Sequence, residues 1–214
     1  MSSMTTVKKL SILVSTCAVI GGLLLSAQAS YAGPISINNP RFEANSLGEG
    51  NHTINSIVGW TAVYNGGNGG IFNPGDNEYP GASNPADIFT TTHGQNVAYS
   101  NGRTIQQQLN ATFDPAATYR LSVDVGHRLD VPFPSTGAYL QLLAGTQVIA
   151  SVATPVPSSG GFLTVTATYN PRRDNRNNQY AQYAGQPLTI RLGSNDGNTF
   201  TGQVNWDNVK LRTR

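Results

Sequence analysis

From Gly33 onward the chain carries a two-residue rhythm of apolar and polar side chains and no sustained helical period, which restricts it to sheets. Tyr119, Leu121, Val123 and Val125 alternate with Arg120, Ser122, Asp124 and Gly126, and Leu163, Val165 and Ala167 alternate with Phe162, Thr164 and Thr166. Successive side chains of a strand point to opposite faces, so this rhythm marks strands with one buried face. It recurs over residues 188–192 and 204–211, and further strands are expected near 35–37, 57–64, 96–100, 104–109, 138–143 and 147–151. Turn chemistry separates them: residues 66–70, 73–76, 101–102, 114–115, 144–145, 158–161 and 196–198 are runs of Gly, Pro, Asn, Asp, Ser and Ala suited to hairpins and strand connections. The expected fold is all-β, a jelly-roll β-sandwich of two antiparallel sheets with eight to ten strands. No domain boundary interrupts residues 33–214. The strand-poor stretch 65–95 is a long excursion for a compact domain, and it is expected to cover one end or one face of the sandwich.

The first 32 residues read as an address. Lys8 and Lys9 precede an apolar run over 10–25, followed by the small residues Ala27, Ala29, Ser30 and Ala32, the form of a secretion signal cut after Ala32. This predicts an exported protein, periplasmic or extracellular, with no membrane anchor after cleavage. Cys17, the single cysteine, leaves with the signal, so no disulfide is available to the exported domain. A cysteine-free exported domain rich in Asp, Asn and Glu points to a hard, oxygen-ligated ion, and calcium is the cofactor expected. The 13 basic residues include Lys8 and Lys9, so the remainder balances the 11 acidic residues and offers no field for nucleic acid.

Familiar catalytic signatures are missing: there is no Gly-x-Ser-x-Gly elbow, no His-Glu-x-x-His and no phosphate loop. His52 and His93 read as loop residues. His127 ends a strand, where it is either hydrogen-bonded structure or part of a pocket mouth. Two carboxylates stand out instead, Glu43 in Asn39-Pro40-Arg41-Phe42-Glu43 and Asp207 in Trp206-Asp207-Asn208-Val209. In strand alternation Asp207 falls in phase with Val209 and Leu211 and is expected to face a core, where it needs a cation, a hydrogen-bond partner or a raised pKa. One solution is a calcium ion held by Glu43, Asp207 and oxygens at Asn39; the other is a proton-donating site. A second, weaker calcium loop is traced by Asp76, Glu78, Gly81 and Asp87, with Pro80 where a ligand belongs. Trp60, Tyr64, Phe72, Tyr99, Phe133, Tyr139 and Trp206 offer rings for a sugar or a flat apolar ligand, although for any one ring the core is the commoner home.

Segments 39–43, 59–60, 94–102, 123–128 and 206–211 resemble those of calcium-binding, carbohydrate-module jelly rolls. Over essentially all of 33–214, including Gly126-His127-Arg128-Leu129-Asp130, the chain also resembles the Stig cyclases of hapalindole-type alkaloid biosynthesis. The resemblance implies a calcium-dependent homodimer acting on a small-molecule indole isonitrile, a geranylated indolenine. It implies a Cope rearrangement, then cyclisation through a cation that ends by indole attack or proton loss. By the same resemblance Asp207 matches the acid, and Tyr99 and Phe133 match aromatic residues stacked on the substrate. Tyr139 is the alternative to Phe133, and Trp60 and His127 complete the expected substrate-binding set. One residue cannot readily be both metal ligand and proton donor, so the role of Asp207 stays open at this point. The competing reading is a non-catalytic, secreted carbohydrate-binding module.

Overall fold

The structure, a computed structural model, describes residues 32–63, 66–194 and 201–214. The leader, Tyr64 and the turn expected at 196–198 lie outside the described residues.

Among the described residues eleven strands form two antiparallel sheets, here called the front and the back sheet. The front sheet has the order β3 (Asn68–Phe72), β4 (Val97–Asn101), β11 (Val204–Thr213), β6 (Tyr119–His127) and β9 (Gly161–Tyr169), with β1 (Gly33–Ile35) paired to the far end of β11. The back sheet has the order β2 (Thr61–Val63), β5 (Thr104–Thr112), β10 (Pro187–Ser194), β7 (Ala138–Ala144) and β8 (Gln147–Ala153). A six-residue helix, α1 (Ile88–His93), and a short one, α2 (Pro171–Asp174), lie in connections. Among the described residues no helix is long and apolar enough to cross a membrane.

The alternating residues meet between the sheets as expected. Leu121, Val123, Val125 and Trp206 of the front sheet join Leu140, Leu142, Leu188, Ile190 and Leu192 of the back sheet in one core, all of them buried. Each such side chain contributes about 1.5–3 kcal/mol by leaving water, which is how a domain without disulfides holds together.

Three local features differ from the sequence expectation. Residues 68–70, read as a turn, begin β3. Glycine serves here because a Cβ at Gly70 would fall 2.0 Å from the Thr53 carbonyl oxygen, so only a bare backbone lets the 51–55 segment run beside this strand. Asn101-Gly102 closes no hairpin: β4 and β5 belong to different sheets, and the pair carries the chain across the sandwich. The third difference is a bulge in β11, with a register shift between Asp207 and Lys210 and Asn208 at φ 51°. The bulge resets the alternation, so Val204 and Trp206 before it, and Val209 and Leu211 after it, all reach the core. Asp207 therefore points with Asn205 to the outer face of the front sheet and not toward the core with Val209.

Candidate active site

Two cross-strand rows form the floor on this outer face. One runs Gly70, Tyr99, Asn205, Gly126, Phe162; beside it Asp207 pairs with Asp124, which pairs with Thr164, while Phe72 pairs with Val97 on β3 and β4. An outer face would normally meet water. Here the excursion between β3 and β4 folds over it, and Asp207 is 0% exposed.

The excursion is held by its own polar residues. Asp87 caps α1 by accepting from the Phe89 backbone N–H at 3.3 Å, Glu78 accepts from Gly75 N–H at 2.7 Å, and Asp76 accepts from Ser83 N–H at 3.0 Å. The acids of the weaker calcium loop are thus engaged in local turns. At the end of α1, Gly94 adopts φ 77°, and a Cβ there would lie 2.3 Å from Glu43 Oε1. Glycine lets the chain turn tightly against the 39–45 segment.

This packing lowers three rings onto the floor. Tyr79, 0% exposed, has its ring centroid 5.2 Å from Phe89 and 4.8 Å from Phe162, and its hydroxyl donates to Asn205 Oδ1 at 2.8 Å. His93 stacks on Phe162 with centroids 4.0 Å apart. Its Nδ1 lies 3.0 Å from Asp207 Oδ2. Asn208 braces the pair, its amide donating to Thr92 O at 3.1 Å and to Asp124 Oδ2 at 2.9 Å. Asp124 in turn accepts from Thr164 Oγ1 at 2.5 Å.

The second Asp207 oxygen, Oδ1, is buried and finds no hydrogen-bond partner among the described residues. Loss of hydration pushes the Asp207 carboxyl up to about 6, against the opposing pull of the His93 hydrogen bond. Burial likewise raises the Tyr79 phenol well above its ordinary value, so it stays protonated as a donor. Chemically, the site is a carboxyl able to hold a proton near neutrality, surrounded by aromatic rings and shielded from water.

Beside this sealed acid lies a cavity of about 290 Å³ lined by His52, Phe72, Glu78, Tyr99, Arg128 and Gln203 among others. Arg128 stands over the Phe72 ring at 4.4 Å, 3.7 Å from Glu78 and within hydrogen-bond reach of Asp130 and Gln203. A larger groove, about 800 Å³, runs between residues 34–39 and β5, but no titratable side chain lines it.

The sequence-predicted residues separate on this map. Asp207 is at the centre, and Tyr99 lines the adjacent cavity with its hydroxyl donating to Thr53 O at 2.8 Å. Phe133 packs into the intersheet core with its ring 5.6 Å from His127, whose Nδ1 lies 3.1 Å from Pro157 O. Tyr139 is on β7 of the back sheet, its hydroxyl 2.7 Å from Thr104 Oγ1, because β7 pairs with β10 and not with β11. Trp60 is core, 5.3 Å from Phe42, its indole N–H donating to Asn38 O and Asn39 O. The rings around the acid are instead Tyr79, Phe89, Phe162 and His93. Tyr79, Phe89 and His93 come from the excursion, whose aromatic residues carried no periodic signal; His93, read as a loop residue, ends α1 and meets Asp207. Phe162 was visible as the aromatic residue on the polar side of the β9 alternation.

The expected calcium ligands do not converge in this structure. Glu43 Oε1 accepts from the backbone N–H groups of Gln95 and Asn96 at 3.1 and 3.0 Å. Asn39 Oδ1 accepts from Ala44 N–H at 3.1 Å, and Asp207 turns to His93. Among the described residues no group of three or more His, Cys, Asp and Glu is placed to hold a metal ion. Glu43, Asn39 and Asp207 Oδ2 are thus each engaged by a different partner, while Asp207 Oδ1 is left without one.

Fold and site together define an all-β sandwich whose outer face carries a buried carboxyl of raised pKa under an aromatic roof. The chain matches the model of the HpiC1-like family, described as HpiC1 cyclase, over residues 33–212, and it belongs to that family. It is also similar to solved cyclases from Fischerella. An apo-form cyclase from Fischerella sp. is 27% identical, with a TM-score of 0.64, over 87% of this chain and 98% of that one. The Stig cyclase Fisc from Fischerella sp. TAU, in complex with (3Z)-3-(1-methyl-2-pyrrolidinylidene)-3H-indole, is 27% identical with a TM-score of 0.63, over 86% and 98%. A cyclase from Fischerella sp. TAU in complex with 4-(1H-indol-3-yl)butan-2-one is 26% identical with a TM-score of 0.61, over 85% and 97%. No curated protein matches the chain in sequence.

Proposed function

We propose that this cyclase isomerises a geranylated isonitrile indolenine into a polycyclic indole alkaloid of the hapalindole type, with Asp207 as the acid. The observation that carries the reading is the Asp207 carboxyl itself: one oxygen held by His93, the other free, the whole buried beneath aromatic rings. The imine nitrogen is the basic atom of such a substrate. A proton lent to it by Asp207 Oδ1 draws electrons from the allylic system and lowers the barrier to Cope rearrangement and ring closure. The faces of Tyr79, Phe89 and Phe162 stabilise the resulting cation and exclude the water that would quench it. Attack by the indole ring or loss of a proton ends the cation, and a proton returns to Asp207, so no atom is gained or lost. His93 positions the carboxyl and fixes which oxygen faces the substrate. Cyclase-family membership and the indole ligands of the Fischerella structures support this reading over a glycan-binding module.

Export through the leader, homodimerisation and calcium dependence complete the proposal. Calcium enters as a structural ion only, supported by the cysteine-free exported sequence and its oxygen-rich composition, and no chemical step runs through it. The test is incubation of the mature protein with the indolenine. Cyclised isomers are expected from wild type and none above background from Asp207→Asn; an Asp207→Asn protein of full activity would remove the acid role.

A further inference from the structure

We propose that residues 73–96 form a lid over Asp207, hinged at the β3–β4 edge of the front sheet and latched at its far edge by Glu78 onto Arg128 and Leu129. The cyclase reading supplies the reason for a lid and nothing else in the argument. Asp207 is 0% exposed and absent from the lining of the neighbouring cavity, so a substrate meets it only after something has moved. The floor is fixed, because Asn205, Asp207, Gly126 and Phe162 belong to paired strands. The roof is the part that can yield.

Its bonding divides it into root, body and far edge. Both ends are rooted on one side of the face: Asn73 exchanges backbone bonds with Gly50 and Asn51 at 2.8 and 3.0 Å, and Gln95 and Asn96 donate to Glu43. The body is tied to itself, Tyr79 N–H donating to Gly75 O at 3.1 Å, Ala82 N–H to Tyr79 O at 3.1 Å and Thr90 Oγ1 to Asn84 O at 2.8 Å. It can therefore move as a unit. The far edge crosses to the β6 and β9 side, where it is held by little: Glu78 Oε1 stands 3.7 Å from Arg128 Nη2, Glu78 O accepts from Leu129 N–H at 3.0 Å, and a Cβ on Gly160 would lie 3.3 Å from Pro80 Cδ. The keeper is firm. Arg128 lies over Phe72, donates to Asp130 at 2.8 Å and to Gln203 at 3.2 Å, and its carbonyl accepts from Ser159 Oγ at 3.2 Å. Lifting the far edge breaks the two Glu78 contacts and the Tyr79–Asn205 bond and leaves the core intact, so it costs less than global unfolding. The cavity lined by Glu78 and Arg128 lies against this latch, where an opened edge admits a ligand.

The test uses thiol labelling of the mature chain, which contains no cysteine once Cys17 has left with the leader. Val97 and Ala98 are neighbours on β4 and both are 0% exposed, but Val97 lies on the outer face with Phe72 and Tyr99, and Ala98 faces the intersheet core. Val97→Cys and Ala98→Cys are each reacted with a thiol reagent under native conditions. Opening of the lid exposes the first and not the second, so Val97→Cys is expected to react at least about 100-fold faster. Adding Glu78→Gln, which keeps the side chain's shape and removes its charge, is expected to speed labelling of Val97→Cys about three- to tenfold and to leave Ala98→Cys unchanged. Equal rates at the two positions would overturn the lid, and a Val97→Cys rate unmoved by Glu78→Gln would overturn the latch. Labelling needs no substrate, so these outcomes are separate from the turnover experiment that decides the cyclase reading.

Discussion

Replacing Asp207 with asparagine is expected to stabilise the protein while removing its chemistry, and the size of the gain follows from burial. The folded carboxyl is raised to about 6 from an ordinary value of 3.8. Below about pH 4 the group is protonated in both folded and unfolded chains and favours neither. Between about pH 4 and 6 the unfolded chain releases the proton and the folded chain retains it, so stability falls as pH rises. Above the folded value both are ionised and the loss is complete, about 3 kcal/mol for a shift of about two pH units. Asparagine has no proton to lose and escapes this cost. Its oxygen can still accept from His93. Urea denaturation of both proteins at pH 4 and pH 8 measures the effect. The two are expected to be close at pH 4, and at pH 8 the variant midpoint is expected to lie about 1 M or more higher. An Asp207→Asn protein less stable than wild type at pH 8 would refute this reasoning, since that is the outcome expected of a carboxylate that binds a metal or anchors the fold by its charge.

His93→Gln is expected to cut kcat about tenfold or more with little change in KM. Because the His93 hydrogen bond lowers the Asp207 pKa, the loss of activity with rising pH should move to higher pH in the variant; an unmoved profile would deny His93 its positioning role. A chelator is expected to lower Tm by removing the proposed structural calcium, and to leave the pH profile governed by Asp207 unchanged. An unchanged Tm would remove calcium from the account.

The sandwich was legible because it rests on local patterns. Alternation at 119–125 and 188–192 required one buried face, and Gly, Pro and Asn clusters marked where strands stopped. Residues 68–70 escaped because their reason for being extended lies elsewhere in the chain, in the approach of Thr53 to Gly70. The site was half legible. Asp207 stood out as a charge in an apolar strand, yet the β11 bulge at Asn208 inverted the face it points to, and a bulge leaves no mark in hydropathy. Its burial comes from the excursion, whose rings meet the front sheet only through tertiary packing, so neither the Tyr79–Asn205 bond, 126 residues apart in sequence, nor the His93–Asp207 contact could be read from spacing. Phe133 and Tyr139 have the right residue type, but the former packs between the sheets and the latter lies on the back sheet, a division set by strand order.

The most direct test of the central claim is turnover of the geranylated isonitrile indolenine by wild type and Asp207→Asn, with products resolved by mass spectrometry and NMR. Cyclised isomers of unchanged mass from wild type alone, alongside a folded and more stable variant, are the predicted result. Equal product from both proteins, or none from either, would contradict it.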